Sequence, residues 1–172
     1  MIDYKAIEIV LKTWIKSVTD LGNANVISQN DNHGRPTTQY ATIKVYDGVV
    51  IGHDTYTTTN APLDTVDLNY SGVRKIMVSV NIYKDDTVSA MEQMAKLVSS
   101  FNRLDTQMVF TSAKIGIINS SEIRDLTSLV DNNYEERRQA DFFIYANDND
   151  VINVEAIMRI AGNGFGVDYT VN

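Results

Sequence analysis

The sequence predicts an α+β fold: one mainly antiparallel (mixed) sheet with helices packed on one face. Two observations carry this. Apolar residues recur at helical spacing in a few segments and alternate at period two in several others. The segments also run as helix, strands, helix, strands, and not as the strand–helix alternation of a parallel sheet. Size and composition agree. The chain has 172 residues, 44% of them apolar, and fits one domain over 1–172. A chain of this length buries roughly 70% of its unfolded surface and needs no staples.

The first helix starts at the N-cap candidate Asp3 and carries Ile7, Val10, Leu11, Trp14 and Val18 on one stripe. Gly22-Asn23 is its expected stop, and Trp14 its expected core anchor. Val26-Ile27-Ser28 is a short strand leading into the turn formers Gln29 to Pro36. Tyr40 to Ile51 reads as one half-buried strand, with Ala41, Ile43 and Val45 alternating with Thr42, Lys44 and Tyr46. Residues 52–70, rich in threonine around Tyr56, have no clean period and read as a protruding hairpin or ordered loop.

Gly72 to Lys84 is the clearest strand. Ile76, Val78, Val80 and Ile82 face one way; Lys75, Met77, Ser79, Asn81 and Tyr83 face the other. Asp85-Asp86-Thr87 is expected to cap a helix to Asn102, with Val88, Met91, Ala95, Val98 and Phe101 as its stripe and Met94 and Leu97 beside it. Leu104 to Thr111 suits a short helix with Leu104, Met108 and Val109 on one side, and Ile115 to Ile118 a strand. Ile123 to Leu129 is ambiguous. Tyr134–Ala146 and Val151–Ala161 read as a hairpin turning at Asn147-Asp148-Asn149-Asp150. Residues 162–172 read as a last strand or a C-terminal arm.

No reaction centre emerges, so no catalytic, cofactor-binding or metal-ligating residue is expected. The absence of cysteine excludes disulfides and thiolate-held metals. His33 and His53 lie in different segments without metal-ligand spacing. Asp148-Asn149-Asp150 resembles the start of a calcium loop, but Ile152, Asn153 and Arg159 stand where a ligand, a glycine and the closing glutamate belong. Gly162-Asn163-Gly164-Phe165-Gly166 lacks dinucleotide spacing. Asp85-Asp86 suits a helix cap. Glu135-Glu136-Arg137-Arg138 fits either an ion-pair network between subunits or a solvated edge. The net charge of −7 disfavours nucleic acid or an anionic membrane as the main partner. No targeting segment or bilayer-spanning run is evident, and synthesis in a cytoplasm is expected.

Four stretches, taken in order, resemble the neck or tail-terminator proteins of tailed bacteriophages. The first is Gln29-Asn30-Asp31-Asn32-His33-Gly34-Arg35-Pro36 before the strand from Tyr40. The second is the Gly72-Val73-Arg74 strand ending at Tyr83, with a helix after it. The third is Gly116-Ile117 with Asp125-Leu126-Thr127 downstream, and the fourth Glu135-Glu136-Arg137-Arg138-Gln139-Ala140-Asp141. The resemblance covers roughly residues 4 to 160, and the threonine-rich segment before Gly72 departs from it in length and content. It implies a sheet flanked by helices and a structural, non-enzymatic virion protein at the tail neck.

The resemblance further implies a homohexameric ring that ends tube polymerisation and meets the tail tube protein, a neck or head-completion protein and, in contractile tails, sheath protein. Genomic DNA would pass through its lumen without specific binding. The candidate subunit or partner interface comprises Arg137, Arg138, Glu135, Glu136, Lys75, Tyr83, Tyr56 and Thr58. Asp85 or Asp86 are candidate partners for the two arginines across subunits. Another neck or head–tail connector ring is the alternative, with a small-ligand-binding domain or enzyme behind it.

Overall fold

A computed structural model describes residues 1–21, 25–29, 34, 36–61, 65–83, 89–130 and 133–155. Several expected features lie outside these residues: residues 30–33 and 35 of the turn run, and the chain from 156 on, including the C-terminal arm at 162–172. Two expected helix boundaries fall elsewhere: the first helix ends at Val18, where Thr19 is already extended, and not at Gly22-Asn23, and the second opens at Ala90 with Ser89 as its N-cap, and not at Asp85-Asp86-Thr87.

The fold is α+β. Helix α1 (Tyr4–Val18) is followed by strands β1 (Val26–Ser28), β2 (Tyr40–Val45), β3 (Val49–Ala61) and β4 (Thr65–Tyr83). Helices α2 (Ala90–Phe101) and α3 (Leu104–Ser112) come next, then β5 (Ile115–Ser120), β6 (Arg124–Asp125), β7 (Ser128–Val130), β8 (Asn133–Glu135) and β9 (Arg137–Glu155). The main sheet runs β1-β2-β4-β9-β5, with β3 also on β4 and β6 also on β9. Only β1–β2 is parallel among these described pairings, so the sheet is mixed but mainly antiparallel. Strands β7 and β8 form a separate hairpin.

Helix α1 begins as the sequence indicates, with Asp3 Oδ1 accepting the Ala6 N–H at 2.9 Å. Its buried stripe is Ile7, Leu11, Trp14 and Ile15. Trp14 is 3% exposed and meets the rings of Phe101, Phe110 and Phe142 at centroid distances of 5.4, 5.6 and 5.2 Å. Its indole N–H donates to Ser100 Oγ at 3.2 Å, which satisfies the one polar atom buried with it. Under this cluster lie Ile43, Ile76, Val78, Val80, Ile82 and Ile144, all buried on the helix-facing side of the sheet.

Four other local expectations change. The run Tyr40–Ile51 is two strands, β2 and β3, in line along the same edge of β4 and broken at Tyr46–Gly48. Gly48 is crowded there: a Cβ would sit 2.8 Å from Arg74 Cβ, and its N–H donates to Tyr4 Oη at 2.9 Å. In α2 the buried face holds Ala90, Gln93, Met94, Leu97, Ser100 and Phe101, whereas Met91 is 45% exposed. Two polar residues sit on that face because each is satisfied. Gln93 Oε1 accepts the Asp20 N–H, its Nε2 donates to Asp20 Oδ2, and Ser100 bonds Trp14. In α3, Leu104, Met108 and Val109 do not form a core face; they are 73%, 66% and 47% exposed, and Thr106 and Phe110 are buried instead.

The fourth change is the largest. Asn147-Asp148-Asn149-Asp150 does not turn. It lies inside β9, which pairs with β4 without a break from Tyr83↔Arg137 to Thr65↔Glu155. Turn formers stay extended here because the neighbouring strand supplies partners: Arg74 reaches Asp148 at 3.1 Å, and Ser71 Oγ donates to Asn149 Oδ1 at 2.8 Å. The far halves of β4 and β9, with β3, thus form a three-stranded extension beyond the helices.

Candidate partner interface

The face of the sheet opposite the helices mixes polar and aromatic side chains. Register places Tyr40 beside Tyr83 and Arg137, Thr42 beside Asn81 and Gln139, and Lys44 beside Ser79 and Asp141. Met77 with Phe143, then Lys75 with Tyr145, continue it towards the extension. At one end Tyr40 and Tyr83 stack, with centroids 4.4 Å apart and planes 6° from parallel. The Arg137 guanidinium lies 5.3 Å from the Tyr83 ring centre and donates from Nε and Nη2 to Asn81 Oδ1 at 3.1 and 2.9 Å. Asn81 Nδ2 donates on to Thr42 Oγ1 at 3.3 Å. Next to it, Gln139 Nε2 donates to Ser79 Oγ at 2.6 Å, and Arg124 pairs with Asp141. Asn81 and Ser79 are 1% and 2% exposed, so the longer side chains above them form the surface. Such a network fixes its side chains before any partner arrives.

The expected interface residues fall into three places. Arg137, Tyr83 and Lys75 share the face opposite the helices. Lys75 Nζ sits 4.6 Å from the Phe143 ring centre. Arg138 points to the opposite side, where it pairs with Asp125 and lies 3.5 Å from Glu136. Its Nε is buried without a hydrogen bond. Arg138, then the Thr127 hydroxyl and N–H, hold the Asp125 carboxyl well below the usual carboxylate range. That gives the Asp125-Leu126-Thr127 motif a physical role, because the threonine closes an Asx-type turn onto Asp125 at 2.6 and 2.9 Å. Glu135 ends β8 beside this corner. Tyr56 and Thr58 lie on the extension, far from both groups along β3, and Tyr56 is 68% exposed. Asp85 and Asp86 lie outside the described residues. Within the subunit both arginines already have partners, Arg137 with Asn81 and Tyr83, and Arg138 with Asp125.

Sequence reasoning did not assemble the root of the extension. Arg74 of β4 holds Asp54 of β3 through two parallel bonds of 2.6 and 2.7 Å and reaches Asp148 of β9 at 3.1 Å. One side chain therefore ties three strands together. Arg74 keeps the Asp54 carboxyl below its ordinary range, and Asp54 raises the guanidinium in return. A Cβ at Gly72 would meet Asp54 Oδ1 at 1.9 Å and Arg74 Nη1 at 2.4 Å, so the ends of both side chains would have to move. Asp54 reaches the pair from an irregularity between Ile51 and Thr55, where Gly52 adopts φ +73°. The Gly72-Val73-Arg74 motif was visible in sequence; its partners were not, since one lay in a loop-like segment and the other in an apparent turn.

Beyond the clamp the extension has one apolar face. Tyr56, Tyr70, Leu68, Ile152, Val66 and Val154 point the same way by register, with Thr58 and Asp150 among them, and Tyr56 packs on Tyr70 at 6.4 Å. The other face carries Thr55, Thr57, Thr59, Asn69, Ser71 and Asn149. Among the described residues no group of three or more acidic or histidine side chains could hold a metal ion.

No curated protein matches the chain. The sequence does match the family described as phage neck terminator protein over residues 5–168, nearly its whole length. The chain belongs to the phage neck terminator family, and is a structural component of the phage neck.

Proposed function

We propose that this protein forms a hexameric ring at the head-proximal end of the tail, stops further tube (and sheath) polymerisation there, and joins the tail to the neck. The observation that carries the reading is the family match over residues 5–168. Three features support it. The sheet face opposite the helices spans β2, β4 and β9, and its side chains are already held in a hydrogen-bond network, as suits a docking face. The chain also offers several unlike surfaces, as a cyclic ring with heterologous contacts requires. A ring threaded by DNA gains from acidity, since a basic lumen would hold phosphates and the chain carries −7. The subunit is made in the host cytoplasm and leaves in the virion.

Deleting the gene tests this directly. The expected result is heads without attached tails, or tails of uncontrolled length, in electron micrographs of the lysate. Normal virions would end the proposal. Counting subunits in images of isolated necks separates a six-fold terminator from a twelve-fold connector.

A further inference from the structure

Two apolar patches on this chain have no described partner, and they differ in shape and charge. The first is the apolar face of the extension, with Tyr56 (68% exposed) and Ile152 (47%) at its centre. The second is the ridge of α3 formed by Leu104, Met108 and Val109. Val109 borders a cleft of 470 Å³ between the three helices, lined also by Thr13, Ser17, Lys96, Ser99 and Arg103. We propose that the apolar face of the extension docks on the α3 ridge of an adjacent copy of this chain, with Tyr56 entering the cleft. The proposal rests on the ring reading and adds which surfaces close the ring.

Charge favours a second copy as the occupant. Segments 49–74 and 146–155, which build the extension, contain six acids against one base, Arg74. Segments 1–21 and 89–114, which build the helical layer, contain six bases against five acids. Most of the chain's net charge of −7 therefore lies on the extension, while the helical layer is slightly basic. Asp150 is exposed on the same face, next to Tyr70, and Lys96 and Arg103 rim the cleft together with Asp105. Those two cations hold only exposed partners, Asp20 and Asp105. Surface pairs of this kind are worth little, so exchange for Asp150 is cheap.

Reach and shape agree as well. Thr65–Arg74 spans roughly 33 Å at ~3.3 Å per residue, more than the roughly 14 Å length of a nine-residue helix such as α3. A sheet face laid on a helix ridge is also a standard way to bury both. The contact joins unlike patches, so it is heterologous and can close a ring.

The chain has no cysteine, which permits a clean test. Tyr56→Cys and Val109→Cys are placed together in the full-length protein, in phage necks, and the necks are oxidised mildly. Both sites are exposed, so the fold is not challenged. The expected result is a ladder of covalent oligomers reaching six on a non-reducing gel, with each single variant staying monomeric. Adding Ile152→Asp should lower the cross-linked fraction roughly tenfold. Intact six-fold necks without a ladder would overturn the contact and leave the ring standing. Dimers from Tyr56→Cys alone would overturn it in favour of an extension-to-extension contact. Necks in which native mass finds no ring would remove the ring reading and this contact with it.

Discussion

The helical body and the three-stranded extension share two strands and little else. In the body a second layer covers the sheet: Ile76, Val78, Val80, Ile82, Phe142 and Ile144 are completely buried beneath α1, α2 and α3. In the extension the same strands β4 and β9 continue without a described layer over them, and Tyr56, Val151 and Ile152 are 68%, 58% and 47% exposed. The body is held by burial and the extension by its strand ladders and the Arg74 clamp. A small domain gains nothing in its own stability from exposed tyrosine and isoleucine. Their cost in the free subunit is understandable if a partner covers them.

Substitutions in the two regions should therefore behave differently. Trp14→Ala removes the centre of the aromatic cluster and should destabilise the body by ~3–5 kcal/mol, read by denaturant unfolding. A change under 1 kcal/mol would show that the body is not held by this cluster. Arg137→Glu comes next. It removes both donors to buried Asn81 Oδ1 and the cation over Tyr83, so the subunit should lose roughly 1–3 kcal/mol, and ring assembly should weaken further. Sedimentation of the folded variant checks the second part, and an unchanged oligomer would contradict it.

Gly72→Ala should act only locally. Its methyl cannot coexist with the Asp54–Arg74 pair as placed, so amides of β3 and β4 beyond the clamp should exchange faster while those of Ile76–Ile82 keep their protection. Faster exchange throughout would show that body and extension unfold as one unit. The smallest effect is on pH. The folded-state pKa values of Asp54 and Asp125 lie below the ordinary 3.8. Their stabilising contribution is therefore complete above about pH 4 and is lost as the pH falls through the lowered values. Arg74→Gln should remove the Asp54 part of that acid sensitivity, measured as a Tm-against-pH curve, and leave the Asp125 part.

How much the sequence revealed follows from where each element's partners lie. The strand through Ile76 and Ile82 and the helix around Trp14 carry their pattern locally, and both read correctly. Gln93 and Ser100 hid the face of α2, because their burial depends on Asp20 and Trp14, distant in sequence. Asn147 to Asp150 read as a turn since nothing local reveals that Ser71, Gly72 and Arg74 lie opposite. The candidate interface suffered the same limit. Tyr83 and Arg137 were each visible, but their stacking is a property of register. Arg138 was grouped with Arg137 by adjacency, and alternation in a strand sends the two to opposite faces.

The unbroken β4–β9 ladder also has a mechanical meaning. Nineteen register pairs run from Tyr83↔Arg137 in the body to Thr65↔Glu155 at the far end. A pull along the extension is carried by these two continuous backbones into the body, where it loads the hydrogen bonds of β2 to β4 and of β5 to β9 in shear, so that many must fail together. Force applied to the extension is therefore delivered straight into the most deeply packed strands of the body. Within those pairs there is no joint at which the two could swing apart.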